Sequence, residues 1–240
     1  MTCNPKWPEI VNELLPGQEA QDRPDLLARV FKLKKDQLIK DITKAGIFGE
    51  CVARVWVTEF QKRGLPHIHI LAILAHGQRP KTAQEIDNIV CAELPPNPNE
   101  HGITEEEKAS RKPLWDIVVT QMVHGPCGRI NPRSPCMMNA VGGKYPKNFP
   151  KPLFRQTIID EDMSHPIYRR RSPADGGETA HIRGHTINNE WVIPYNPFLL
   201  LRYQCHINVE LCASAMASKY LFKYVTKGRV SASQSRVQIT

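Results

Sequence analysis

From Cys51 the sequence switches to a period-two pattern, with Val55, Val57 and their neighbours alternating along an extended strand. Arg63-Gly64 then turns the chain, and His67 to Leu74 forms a second, largely buried strand. A hairpin of this kind constrains its side chains tightly. Alternate residues leave opposite faces, so His67 and His69 leave the same one. Folding about the turn brings Glu59 opposite His67, where cross-strand side chains lie about 5 Å apart. Two imidazoles and a carboxylate on a rigid hairpin make a mixed N/O site with open positions. That donor set suits Mg²⁺ or Mn²⁺ acting as a Lewis acid, and Zn²⁺ is also chemically possible. The competing account is two buried histidines satisfied by hydrogen bonds, with Glu59 on the surface.

The remaining pattern predicts mixed helices and strands. Residues 22–45 carry Leu26, Leu27, Val30, Phe31, Leu38, Ile39 and Ile42 at helical spacing, with Pro24 in the first turn and Gly46 at the end. Thr82 with Glu85, and Thr104 with Glu107, are capping-box signatures of two further short helices. The stretch 124–173 is rich in Gly, Pro and Arg and lacks periodicity, as an insertion packed on the sheet would. Asn188-Asn189 is placed as a hairpin turn between Thr186-Ile187 and Trp191-Val192-Ile193. A strand near Cys205 to Val209 precedes a helix from about Ala213 to Lys227, and the polar tail 231–240 is expected to be flexible. This order predicts an α+β fold around a central antiparallel sheet with helices on its faces, in one domain spanning 1–240.

Composition narrows the function. The 240 residues are 41% hydrophobic and 23% charged, which suffices for a buried core and argues against disorder. No apolar run reaches the length of a membrane span; the densest, Ile68 to Ala75, is broken by His69. Seven Cys, an odd number, fit free thiols or metal ligands better than a disulfide framework. The net charge of +8 is concentrated: residues 1–120 hold 16 Lys/Arg against 17 Asp/Glu, residues 121–240 hold 16 against 7. A basic half of this kind faces a polyanion, or else is simply a solvated basic surface.

Within the predicted last helix, Tyr220 and Tyr224 lie one turn apart on one face, flanked by Lys223 and Lys227, and Lys219 and Lys227 are candidate DNA contacts. A phenol attacks phosphorus well only where a metal or a lysine favours phenolate; otherwise the pair is a core stripe. His124 and Cys127 have the close spacing of a zinc half-site, with Cys136 a third soft ligand for a structural Zn²⁺, against free thiols in a Pro-rich loop. Arg129, Arg133, Lys144, Lys147, Lys151 and the run Arg169-Arg170-Arg171 are interleaved with Tyr145, Phe149 and Tyr168. Phosphate neutralisation with base stacking is what a single-strand channel needs.

Taken together, Thr2-Cys3-Asn4-Pro5, Gly64-Leu65-Pro66-His67-Ile68-His69 and Lys219-Tyr220-Leu221-Phe222-Lys223-Tyr224 stand in the order of the three motifs of HUH (His-hydrophobic-His) endonucleases. Glu59 to His69, His124-Gly125-Pro126-Cys127-Gly128, Val192 to Pro197 and His206 to Glu210 resemble the replication-initiator domain of Helitron transposases. The resemblance implies cleavage of single-stranded DNA at transposon ends by transesterification. Glu59, His67 and His69 would hold Mg²⁺ or Mn²⁺. Tyr220 or Tyr224 would attack, Tyr220 being the better fit to a Tyr-x-x-Lys spacing, and leave a 5′-phosphotyrosine and a free 3′-OH. Lys223 would position the phosphate. It further implies a nuclear location and a helicase joined to this domain, although no helicase phosphate-binding loop occurs here; the chain looks like an excised domain. The family commonly carries another Cys shortly after the Cys136 position, absent here.

Two rivals stand beside this. A non-catalytic single-strand-binding module would use the tyrosines only for packing or stacking. A histidine-triad nucleotide hydrolase is suggested by Pro66-His67-Ile68-His69 but needs a third alternating His, where this chain has Leu71.

Overall fold

The alternating segment folds as the expected hairpin, β1 (Cys51–Phe60) pairing antiparallel with β2 (Pro66–Leu74). The register sets Glu59 against His67 and Val57 against His69. Gly64 closes the turn at φ +75°, a value that a Cβ would penalise. Its amide donates to the Gln61 carbonyl, and the Gln61 amide to the Leu65 carbonyl. The computed structural model describes residues 1–61, 64–128, 130–134, 137, 148–160, 165–212 and 229–234. The predicted helix at 213–227 lies outside them.

The chain divides into two compact units: Met1–Lys81 with Tyr203–His206 and Cys212–Thr240, and Thr82–Arg202 with Ile207–Leu211. In the first, β5 (Arg229–Gln234) adds antiparallel to the free edge of β1, giving the order β2-β1-β5. Residues 231–234 of the tail expected to be flexible are thus paired, and 235–240 lie outside the described residues; a polar sequence does not prevent pairing, because the ladder is made by backbone N–H and C=O groups. On the outer edge of β2 run residues 1–3. Thr2 bridges His67, the Ile68 amide donates to the Met1 carbonyl and the Cys3 amide to the Pro66 carbonyl, both at 2.9 Å. The Thr2 amide donates in turn to the His206 carbonyl. The strand expected over 205–209 does not form: the His206 carbonyl accepts from Thr2 and the Val209 amide donates to the Pro194 carbonyl, and Ile207–Leu211 belong to the second unit.

Helix α2 (Pro24–Thr43) starts at Pro24, whose fixed φ suits a first turn, and packs on β1, β2 and the short α1 (Pro8–Val11). Its buried face is Leu27, Val30, Phe31, Leu38, Ile39 and Ile42, the predicted stripe without Leu26. Asp41, also buried, accepts from the Tyr203 hydroxyl at 2.6 Å and from Gln37 at 2.8 Å. Trp7, 1% exposed, donates its indole N–H to the Tyr203 carbonyl.

The second unit contains α3 (Ala83–Ile89) and α4 (Glu105–Gln121), each opened by its predicted capping box. At 17 residues, α4 is longer than its capping signal suggested and runs through Pro113 to bury Trp115 and Val118. The hairpin β3 (Ala180–Ile182) with β4 (His185–Ile187) turns at Arg183-Gly184, both at positive φ, and not at Asn188-Asn189. Asn188 instead caps a short 3₁₀ turn over Asn189–Trp191 by accepting from the Glu190 amide. Helix α5 (Pro197–Tyr203) follows.

Among the described residues of 124–173, strand-type pairing is limited to the bridges Phe154–Arg170 and Ile158–Ile167. The segment is irregular, as expected, and packs within its own unit. Tyr168 joins Ile86, Val90 and Ala92; Cys127 and Phe149 join Ile187 and Trp191. Among the described residues, five α-helices with two small antiparallel sheets make the fold α+β. No helix among the described residues is long and apolar enough to cross a membrane.

Candidate metal centre

The N-terminal segment, β2 and β1 carry Thr2, His67 and Glu59 in one row, because residues paired directly across an antiparallel ladder share a face. His69 lies two residues further along β2, on the same face. One donor atom each from Glu59, His67 and His69 fall within 4.8 Å of one another, and all three side chains are half-buried. His69 Nε2 stands 3.1 Å from Glu59 Oε1, and the two imidazole centroids are 4.5 Å apart at 58°.

Two imidazole nitrogens and one carboxylate are a donor set that fits a divalent cation. Adjacent donors of an octahedral ion with bonds of about 2.1 Å lie about 3 Å apart, which the His69–Glu59 pair already satisfies. Burial, reinforced by the charges of the Met1 ammonium, His69 and His206, pushes the His67 pKa down to about 3. The ring is therefore neutral at physiological pH, the form a metal requires. His67 Nδ1 lies 2.6 Å from the Thr2 hydroxyl and 3.4 Å from the Gln61 amide nitrogen. His206 is near enough to act on His67 electrostatically, yet it is not among the three converging side chains.

The other sequence candidates divide. Tyr220, Tyr224, Lys219, Lys223 and Lys227 lie outside the described residues, as do Arg129, Lys144, Lys147 and Cys136. His124 and Cys127 are brought together, Sγ standing 3.5 Å from Nε2. The imidazole stacks on Phe149, with ring centroids 4.6 Å apart. Arg133 is exposed.

Within the run 169–171, burial removes Arg170 from the DNA-facing candidates, while Arg169 and Arg171 stay partly exposed. Arg170 is 4% exposed, and its Nη1 donates to the carbonyls of Asn189 (2.6 Å), Val192 (2.7 Å) and Ala92 (3.2 Å). It has no face for a phosphate. Its neighbours converge on carboxylates: Arg169 pairs with Asp87 and Glu93, and Arg171 forms a bidentate pair with Glu93. Glu93 is 3% exposed; burial would raise its carboxyl, but the Arg171 side chain and backbone donors outweigh that and hold it below its ordinary value. A triple-arginine run looks the same in sequence whether carbonyls, carboxylates or DNA await it. Sequence reasoning also gave Thr2 no role, although it stands in a quoted motif.

Residues 1–72 match the family model described as the Helitron helicase-like domain at the N-terminus. The matched stretch contains α1, α2, β1 and most of β2, and with them Glu59, His67 and His69, and it relates this part of the chain to Helitron transposases. No curated protein matches the chain.

Proposed function

We propose that the chain is a metal-dependent single-stranded DNA endonuclease and strand transferase, acting at transposon ends through a 5′-phosphotyrosine intermediate. The observation that carries this reading is the convergence of Glu59, His67 and His69 within 4.8 Å on one hairpin, inside the stretch that resembles the Helitron domain. A bound Mg²⁺ or Mn²⁺ supplies Lewis-acid polarisation of a phosphate oxygen. Glu59, His67 and His69 hold the ion, His67 as a neutral ligand.

Tyr220, with Tyr224 as the second tyrosine, provides the nucleophile. Its Oη bonds to phosphorus as the P–O3′ bond breaks; the phenol gives up its proton, and the 3′ oxygen departs as a hydroxyl. The phosphodiester energy stays in the phosphotyrosine link, so a 3′-OH rejoins the strand without ATP. Lys223 offsets charge developing on the phosphate. The excess of 16 Lys/Arg over 7 Asp/Glu across residues 121–240 supports a nucleic-acid partner. One endonuclease domain over 1–240, a helicase joined to it, and a nuclear location belong to the same proposal, as does a structural Zn²⁺ begun by His124 and Cys127.

The test is incubation with 3′-labelled single-stranded DNA from a transposon end, with Mn²⁺ or EDTA, followed by denaturing electrophoresis. Label should travel with the protein only with metal, persist in Tyr224→Phe, and vanish in Tyr220→Phe and His67→Ala. Tight, salt-dependent binding with no adduct on any verified end would instead favour a non-catalytic binding module.

A further inference from the structure

We propose that Thr2 is a positioning residue for the metal centre: its hydroxyl accepts the Nδ1–H of His67, fixing the tautomer and plane of the ring and leaving Nε2 for the ion. This rests on the metal site proposed above and concerns a residue outside the ligand set.

Three observations carry it. First, Thr2 and His67 form an antiparallel bridge flanked by the Ile68 amide to Met1 carbonyl and Cys3 amide to Pro66 carbonyl bonds. Bonds placed on either side of the pair, and not between its members, define the non-hydrogen-bonded position, where side chains approach most closely. Second, the Thr2 hydroxyl stands 2.6 Å from His67 Nδ1, a short contact that occupies that nitrogen. Third, Thr2 is anchored from its far side by the bond from its amide to the His206 carbonyl. The backbone that carries the hydroxyl is therefore held on both flanks. In the row Thr2–His67–Glu59, the Nδ1 of the imidazole meets an uncharged hydroxyl, and Glu59 is the cross-strand neighbour of His67 on β1.

Metal-ligating histidines depend on such a partner. The group on the second nitrogen sets which nitrogen carries the lone pair and how the ring is turned, and its loss costs 10- to 100-fold in metal affinity. Threonine suits the place doubly, since its β-branched side chain has few rotamers and favours extended backbone.

The experiment compares wild type, Thr2→Val and Thr2→Ser in the full chain. Mn²⁺ affinity is followed by the loss of the free-ion electron paramagnetic resonance signal, and the His67 ring ¹⁵N shifts are recorded without metal. Thr2→Val keeps the shape and removes the acceptor. It should weaken Mn²⁺ binding about 10- to 100-fold and move the ¹⁵N shifts from a single Nδ1–H tautomer toward a mixture, with the far-ultraviolet circular dichroism unchanged. Thr2→Ser should restore both. Wild-type affinity and wild-type shifts in Thr2→Val would overturn the role of Thr2 while leaving the metal site standing. Failure of the wild type itself to bind Mn²⁺ would overturn the metal site, and the positioning role with it.

Discussion

Replacing Arg170 by methionine separates a structural arginine from a DNA-binding one. The guanidinium of Arg170 is 4% exposed and gives one nitrogen, Nη1, to three main-chain carbonyls. That nitrogen has two protons, so the contacts at 2.6 and 2.7 Å are the principal bonds and the 3.2 Å contact shares one of them. Hydrogen bonds from a charged donor contribute about 1.5–3 kcal/mol each, or about 3–6 kcal/mol for the two. Against this stands the cost of burying the cation, which also pushes the Arg170 pKa down to about 10 and amounts to a few kcal/mol. Methionine fills much of the volume, removes that cost and leaves the carbonyls of Asn189 and Val192 without their donor. The balance is a loss of about 3 kcal/mol, equivalent to a fall in melting temperature of about 6–12 °C for a chain of this size. Urea denaturation with an unchanged m-value measures the loss directly. Below the melting range, the salt dependence of single-strand DNA binding should match wild type, because no phosphate contact is lost. A loss under 1 kcal/mol, or a salt slope reduced by about one, would refute the assignment.

Other expectations follow from the same geometry. Mn²⁺ at 100 times its dissociation constant should stabilise the folded chain by about 2.7 kcal/mol and raise its melting temperature by about 5–10 °C; His67→Ala should abolish the shift, as scanning fluorimetry would show. Because His67 titrates near 3 in the folded chain against an ordinary 6.5, the unfolded chain binds more protons between those values. Metal-free stability should thus be full above about pH 6.5 and decline as the pH falls toward 3, a limb that His67→Gln flattens in pH-dependent denaturation. Gly177→Ala should cost several kcal/mol or prevent folding, since a Cβ there would stand 2.2 Å from the Arg171 carbonyl oxygen; an unchanged melting temperature would count against that packing. Tyr203→Phe should cost about 1.5–3 kcal/mol in equilibrium unfolding, because buried Asp41 loses its 2.6 Å hydroxyl donor and keeps Gln37.

What the sequence determined by itself was whatever depends on near neighbours. Period-two alternation with Gly64 in the turn was enough to fold β1 onto β2 and to set Glu59 against His67, because a two-residue period leaves no freedom about which face a side chain takes. Pro24 and the Thr82 and Thr104 capping boxes set helix starts for the same local reason. Asn188, read from the sequence as a hairpin-turn residue, became a cap in the fold, where Asn189 beside it is buried and bonded to Leu94 and Arg171. The tertiary structure alone decided the rest. It laid Thr2 beside His67 across 65 residues of chain, and it put β5 on β1 through backbone bonds that carry no side-chain signature. It also turned Arg170 into a strut between three carbonyls. Partners distant in sequence are chosen by which groups the folded chain buries together, and an arginine or a hydroxyl bears no mark of its partner until burial demands one.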